Sequence, residues 1–187
     1  AKFSLSRVQR SGARFDEKRL LWMNGHFIRE LSLDELANRA EYFWPETAKK
    51  QPEDYKKKVL HLAQDRLKTL KDLPELTSYF FEEPRANWSL ISENKLLKKL
   101  TSDEINTLLS AAIVSLQASE WTPEMIQTTL NNLLESTGQK PGILFSLIRI
   151  ATTWAAFSPQ LNDTLALLGK DKVLARLSSA QAAIPTS

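Results

Sequence analysis

Apolar residues recur at intervals of three and four along most of the chain, and no stretch sustains the apolar-polar alternation of a half-buried strand. The sequence Ile105, Leu108, Leu109, Ala112, Ile113, Leu116 follows the helical spacing closely and predicts one stripe pressed on a core. Start signals punctuate the pattern. Ser32-Leu33-Asp34-Glu35 and Thr101-Ser102-Asp103-Glu104 have the form of capping boxes, in which the hydroxyl accepts a first-turn amide and the glutamate reaches back. Thr122-Pro123 and Ser158-Pro159 place a hydroxyl before a proline, whose missing N–H costs nothing at a first helical position. Gly138 and Gly169 are natural stops. These signals predict helices near 16–30, 33–43, 53–70, 73–80, 91–99, 103–117, 123–135, 141–156, 159–168 and 170–179. The fold class expected is all-α. The break at Glu82-Glu83-Pro84-Arg85-Ala86-Asn87 predicts two consecutive helical-bundle subdomains, 1–84 and 85–187.

With 187 residues the chain can bury a sizeable core, and 42% hydrophobic with 25% charged residues argues against disorder and collagen-like repeats. No apolar run approaches the ~20 residues a membrane-spanning helix needs, so no membrane partner is expected. Cysteine is absent, which excludes disulfides, thiolate metal sites and cysteine nucleophiles and fits a reducing, cytoplasmic location. The net charge of +3 is unevenly spread. Residues 1–29 hold seven basic side chains against Asp16 and Glu17, a local +5, and the remainder is −2. This opening suits a polyanion as well as an ordinary solvated segment.

Glycine-rich phosphate loops and nucleophile elbows are missing, and His26 and His61 are the only histidines. Trp22, Phe27, Tyr42, Phe43 and Trp44 are expected to pack in the core, and the lysine runs, including Lys56-Lys57-Lys58, to form solvated faces. Arg66 stands out. At ~100° per residue it falls within the stripe of Tyr55, Val59, Leu62, Ala63 and Leu70. There a permanent charge needs a salt bridge, a helix C-terminus to settle on, or a ligand. Arg149 is the only charge between Lys140 and Asp163, on a narrow strip with Gly142, Ser146 and Thr153. It is equally a solvent-facing residue or an accessible hydrogen-bond donor.

Phe15-Asp16-Glu17-Lys18-Arg19-Leu20-Leu21-Trp22-Met23-Asn24-Gly25-His26-Phe27-Ile28-Arg29 resembles the segment that follows the catalytic domain in bacterial-type glutamyl-tRNA synthetases. Asp65-Arg66-Leu67-Lys68-Thr69-Leu70-Lys71-Asp72-Leu73-Pro74-Glu75 and Leu165 to Leu177 agree in the same order. The resemblance implies the helical anticodon-binding region of a class I ligase, and a chain that begins downstream of the family's HIGH-type and KMSK-type ATP motifs. Such a chain binds tRNA(Glu), or alternatively tRNA(Gln), without charging it. It would be a monomer, holding no cofactor itself and served by a catalytic domain of the same polypeptide that uses ATP and Mg. The family's reader of the third anticodon base falls on Arg66, and Arg149, Ser158 and Leu161 fall on the pocket of the first. Asn131 stands where relatives often carry an arginine for the middle base. Trp154, Gln160 and Asn162 depart from the family pattern. Together with the basic opening, the resemblance assigns Arg7, Arg10, Arg14 and Lys18 to the tRNA backbone. The rival from another class is a helical adaptor for protein partners.

Overall fold

The structure is a computed structural model in which residues 16–185 are described, and these residues form helices and turns without any strand. The first helix, α1 (Glu17–Glu30), starts where Asp16 accepts the Arg19 amide. The Ser32–Glu35 capping box forms as expected and opens α2 (Leu33–Ala40). Next come α3 (Glu53–Ala63) and α4 (Leu73–Phe81). Val59, Leu60, Ala63 and Leu73 meet Leu36 in a fully buried core.

Helical bonding stops at Glu82 and resumes in the single turn of α5 (Ser89–Ser92). Five longer helices follow: α6 (Ser102–Ala118), α7 (Pro123–Thr137), α8 (Pro141–Thr153), α9 (Leu161–Leu168) and α10 (Lys170–Ala182). Thr101 and Thr122 cap α6 and α7 as their sequences predict. Helix α10 packs on α6 and α8, α7 packs on α6 and α9, and α3 touches α9 across the two halves. Leu109, Leu116, Leu130, Leu147 and Leu177 fill the second core.

Several expectations are corrected. The helix expected over 53–70 ends at Ala63, where the chain tightens into a 3₁₀ turn at Gln64–Arg66. The tighter turn puts Leu67, not Arg66, into the core, and Arg66 is exposed. Ser158-Pro159 does not open a helix, since Ser158 is buried in a loop and α9 starts at Leu161. The 91–99 helix is reduced to α5 and a 3₁₀ turn at Leu97–Lys99. Trp22, Phe27 and Tyr42 are exposed rather than packed, whereas Trp44 is buried. Lys56, expected on a solvated face, is buried, its ammonium 2.6 Å from Glu53 and 3.8 Å from Glu41.

Candidate nucleic-acid interface

The turn that carries Arg66 is held from three sides. Gln64 donates from Nε2 to the carbonyls of Ile28 (3.0 Å) and Leu31 (2.9 Å), so it closes the end of α1 while anchoring its own turn. Leu67 is fully buried. Downstream, the Asp72 carboxylate accepts the amides of Lys68 (3.0 Å) and Thr69 (2.9 Å) and the Thr69 hydroxyl (2.9 Å). Gly25 allows α1 to lie against this turn, because a Cβ there would stand 3.1 Å from the Leu67 carbonyl oxygen. The Asn24-Gly25 pair thus has a local purpose: Gly25 permits the approach and the Asn24 amide donates to the Lys68 carbonyl.

Arg149 approaches from the other half. It projects from α8, half-buried, and its Nε donates to Ser158 Oγ at 2.8 Å; that hydroxyl in turn donates to the Pro159 carbonyl at 3.0 Å. Ser158 therefore fixes the direction of the guanidinium, and its terminal nitrogens have no hydrogen-bond partner among the described residues. Arg66, Lys68, Arg149, Phe157 and Ser158 line one cavity of about 530 Å³, with Asp72 and Glu75 also on its wall. Among the described residues, neither Arg66 nor Arg149 has a carboxylate within 4.0 Å, and Asp72 is occupied by its turn. Burial first, and then the charge of Arg66, push the pKa of Arg149 below its ordinary value. Two cations that disfavour each other across one cavity favour a ligand rich in acceptors.

The remaining sequence-predicted residues are placed as follows. Leu161 is 6% exposed and belongs to the core at the start of α9, so its side chain supports the loop instead of facing the cavity. Asn131 is exposed on α7, where it accepts from Gln127 at 2.9 Å, and it does not line the cavity. Lys18 is exposed in the first turn of α1, and Arg7, Arg10 and Arg14 lie outside the described residues. Sequence reasoning missed Lys68 and Phe157. Lys68 sits two residues beyond Arg66 in the same motif, and Phe157 directly precedes Ser158.

No group of three or more His, Cys, Asp or Glu among the described residues is arranged to hold a metal ion. No described helix is long and apolar enough to cross a membrane.

Residues 35–181 match the family described as "Anticodon binding domain", and the chain belongs to that family. Its relatives are glutamate–tRNA ligases. That of Chloroflexus aurantiacus is 35% identical over 98% of this chain and 38% of its own length. That of Thermus thermophilus is 37% identical over 96% of this chain and 38% of its own. The chain thus spans little more than a third of the curated relatives it matches. The crystal structure of a glutamate tRNA ligase from Elizabethkingia meningosepticum has the same fold, with a TM-score of 0.76 at 20% identity over 98% of this chain and 36% of that one. The helical adaptor is not favoured by these findings.

Proposed function

We propose that this chain is the anticodon-binding region of a glutamate–tRNA ligase and takes tRNA(Glu) as its RNA. The observation that carries this is the convergence of Arg66 and Arg149, one from each half of the molecule and neither paired with a described carboxylate, on a single cavity. Arg66 is assigned to the third anticodon base, and Arg149, oriented by Ser158, to the first. Leu161 supports that pocket from beneath. Asn131 makes a contact outside the cavity, to the middle nucleotide or its phosphate. Lys18, with Arg7, Arg10 and Arg14, grips the backbone of the stem. The two units are 1–84 and 85–187, and the site spans their junction.

Ligation of glutamate, with its ATP and Mg, belongs to a catalytic part of the same polypeptide, and the whole acts as a monomer. Helix α1 turns Leu20, Met23 and Phe27 outward along one apolar strip suited to contact with that part.

The chemistry at Arg66 discriminates. Glutamate anticodons end in C, whose N3 and O2 accept hydrogen bonds at the Watson-Crick edge. Glutamine anticodons end in G, whose N1–H and N2–H donate there, so a guanidinium loses its partners. The test is four binding constants, the chain and Arg66→Gln against RNA with C or G at that base. The unaltered chain should prefer C by about 1–3 kcal/mol, by analogy with Arg readout of bases in DNA, and Arg66→Gln should narrow the gap because an amide donates or accepts. Equal discrimination by a folded Arg66→Gln variant would remove Arg66 from the reading of this base. Neutralising Arg7, Arg10 and Arg14 together should flatten the salt dependence by about 0.7–0.9 in log-log slope for each phosphate that those side chains no longer neutralise.

A further inference from the structure

The loop between α8 and α9 carries a phenylalanine that no described residue covers. Phe157 is 73% exposed, yet its backbone neighbours are pinned on both sides. Upstream, Thr153 Oγ1 accepts the Ala155 amide at 3.2 Å, and the Trp154 amide donates to the Ile150 carbonyl at 2.7 Å. Downstream, the buried Ser158 holds Arg149 and the Pro159 carbonyl. An apolar ring held up by a fixed loop has little backbone freedom to lose on binding.

Phe157 also marks a boundary. It lines the 530 Å³ cavity of Arg66 and Arg149, and it lines a second cavity of about 790 Å³, whose wall includes Trp154. Both volumes lie in the range of small-ligand sites. The two cavities share Glu75, Leu76 and Ala156 besides Phe157, so they adjoin. Trp154 is fixed edge-to-face against Trp88, with ring centroids 5.5 Å apart. The chemistry of the two sides differs. Both share Glu75, but the first cavity presents Arg66 and Arg149 without carboxylate partners, whereas the second adds Glu82 and the Arg176-paired Glu83 beside Arg85 and Asn87. Carboxylates repel phosphate and accept from the amino groups of bases. A single strand crossing here would keep its phosphates toward Lys68, leave Arg66 to a base edge, and turn the next base into the second cavity.

We propose that Phe157 is a wedge that inserts between two successive unpaired bases of the bound RNA, one entering the Arg66–Arg149 cavity and the next stacking on Phe157 and entering the cavity beside Trp154. This rests on the RNA-binding function proposed above. The ligand class is a single-stranded nucleotide step, recognised by its π-faces, and the wedge contributes affinity with little preference for sequence.

The experiment uses the full chain and an anticodon stem–loop RNA of tRNA(Glu) sequence with 2-aminopurine at one loop position at a time. Phe157→Ala should weaken binding about ten- to a hundredfold, the loss that base stacking carries, and change the fluorescence at the loop positions flanking the wedge. Phe157→Tyr should bind and report as the original does, and Phe157→Leu should resemble Phe157→Ala, because bulk without a π-face does not stack. The preference for C over G at the third anticodon base should survive in all three. Binding by Phe157→Ala within twofold of the original, with unchanged fluorescence at every position, would overturn the wedge and leave the anticodon function standing. Failure of the unaltered chain to bind the stem–loop would overturn both. The side chain is exposed, and a thermal midpoint for Phe157→Ala matching the original confirms that the weaker binding comes from the missing ring and not from unfolding.

Discussion

Trp154 ends α8 in the left-handed region, with φ 46° and ψ 37°, where a bulky side chain is costly by about 1–3 kcal/mol. The strain persists because the indole packs edge-to-face on Trp88, a pair worth about 0.5–1.5 kcal/mol beyond the area it buries. Trp154→Gly removes the strain and the packing together. Burial and ring contact outweigh the strain, so the single substitution should lower stability by about 1 kcal/mol. In a Trp88→Ala background the pair is already gone, and the same change should be close to neutral. Urea unfolding of the four proteins checks this, and an equal effect in both backgrounds would show that Trp88 does not hold the strained turn. Arg66 shows how far a single residue is legible. A charge on an apparent apolar stripe and a motif match both single it out, but the stripe is an extrapolation of the α-helical period past Ala63. The 3₁₀ turn exposes Arg66 and leaves it free for the cavity. Phe157 was illegible for the opposite reason, since an aromatic is assigned to packing unless its neighbours are known.

Helix starts were legible because caps are local. Ser32, Thr101 and Thr122 each accept the amide three residues ahead. Thr101→Ala should cost about 1 kcal/mol by thermal unfolding, the usual loss for an N-cap hydroxyl. Helix ends were harder. Periods of 3.0 and 3.6 differ by only about 20° per residue, and a three-residue turn is too short to establish either, so neither the break after Ala63 nor the turn at Leu97–Lys99 stands out in the pattern. Gly25 sits in mid-helix, where Gly→Ala ordinarily gains about 1 kcal/mol. Here the added Cβ would stand 3.1 Å from the Leu67 carbonyl oxygen, on a turn that Gln64 and Asp72 hold in place. The sign should therefore reverse. Gly25→Ala is expected to destabilise by about 1–2 kcal/mol and to weaken RNA binding by shifting the turn that carries Arg66. Stabilisation by Gly25→Ala would mean that α1 can slide away from the turn at little cost.

A buried cation joins the two halves: Arg176 of α10, only 5% exposed. Its guanidinium donates to the Tyr79 carbonyl (3.0 Å) and the Glu82 carbonyl (3.1 Å) at the end of α4, and to the Thr152 carbonyl (3.0 Å) near the end of α8. It also pairs with the Glu83 carboxylate at 3.0 Å and 3.1 Å. Carbonyls at helix C-termini carry partial negative charge, so one guanidinium settles both ends at once and sets the half bearing Arg66 against the half bearing Arg149. No local pattern reveals this, because Arg176 stands 93 to 97 residues from its partners in the first half. The partners are unequal. Arg176→Leu leaves the carbonyls of Tyr79, Glu82 and Thr152 without that donor in a largely dry junction and should cost roughly 2–5 kcal/mol. It should also split a single unfolding transition into two, as α4 and α8 lose their common anchor. The side chain of Glu83 is mostly solvent-exposed, so Glu83→Gln should cost under about 1 kcal/mol. The hydrogen bond from Arg176 is the main reason that the Glu83 pKa lies below its ordinary 4.5. A carboxyl that is more acidic when folded adds stability that is fully present above that value and is lost as the pH falls through the lowered one. Unfolding of the original protein and Glu83→Gln, followed from pH 7 down to pH about 2, should therefore show a gap that closes below about pH 4.5. A gap that stays constant with pH would show that the charge of Glu83 contributes nothing to the junction and that Arg176 holds it through the three carbonyls alone.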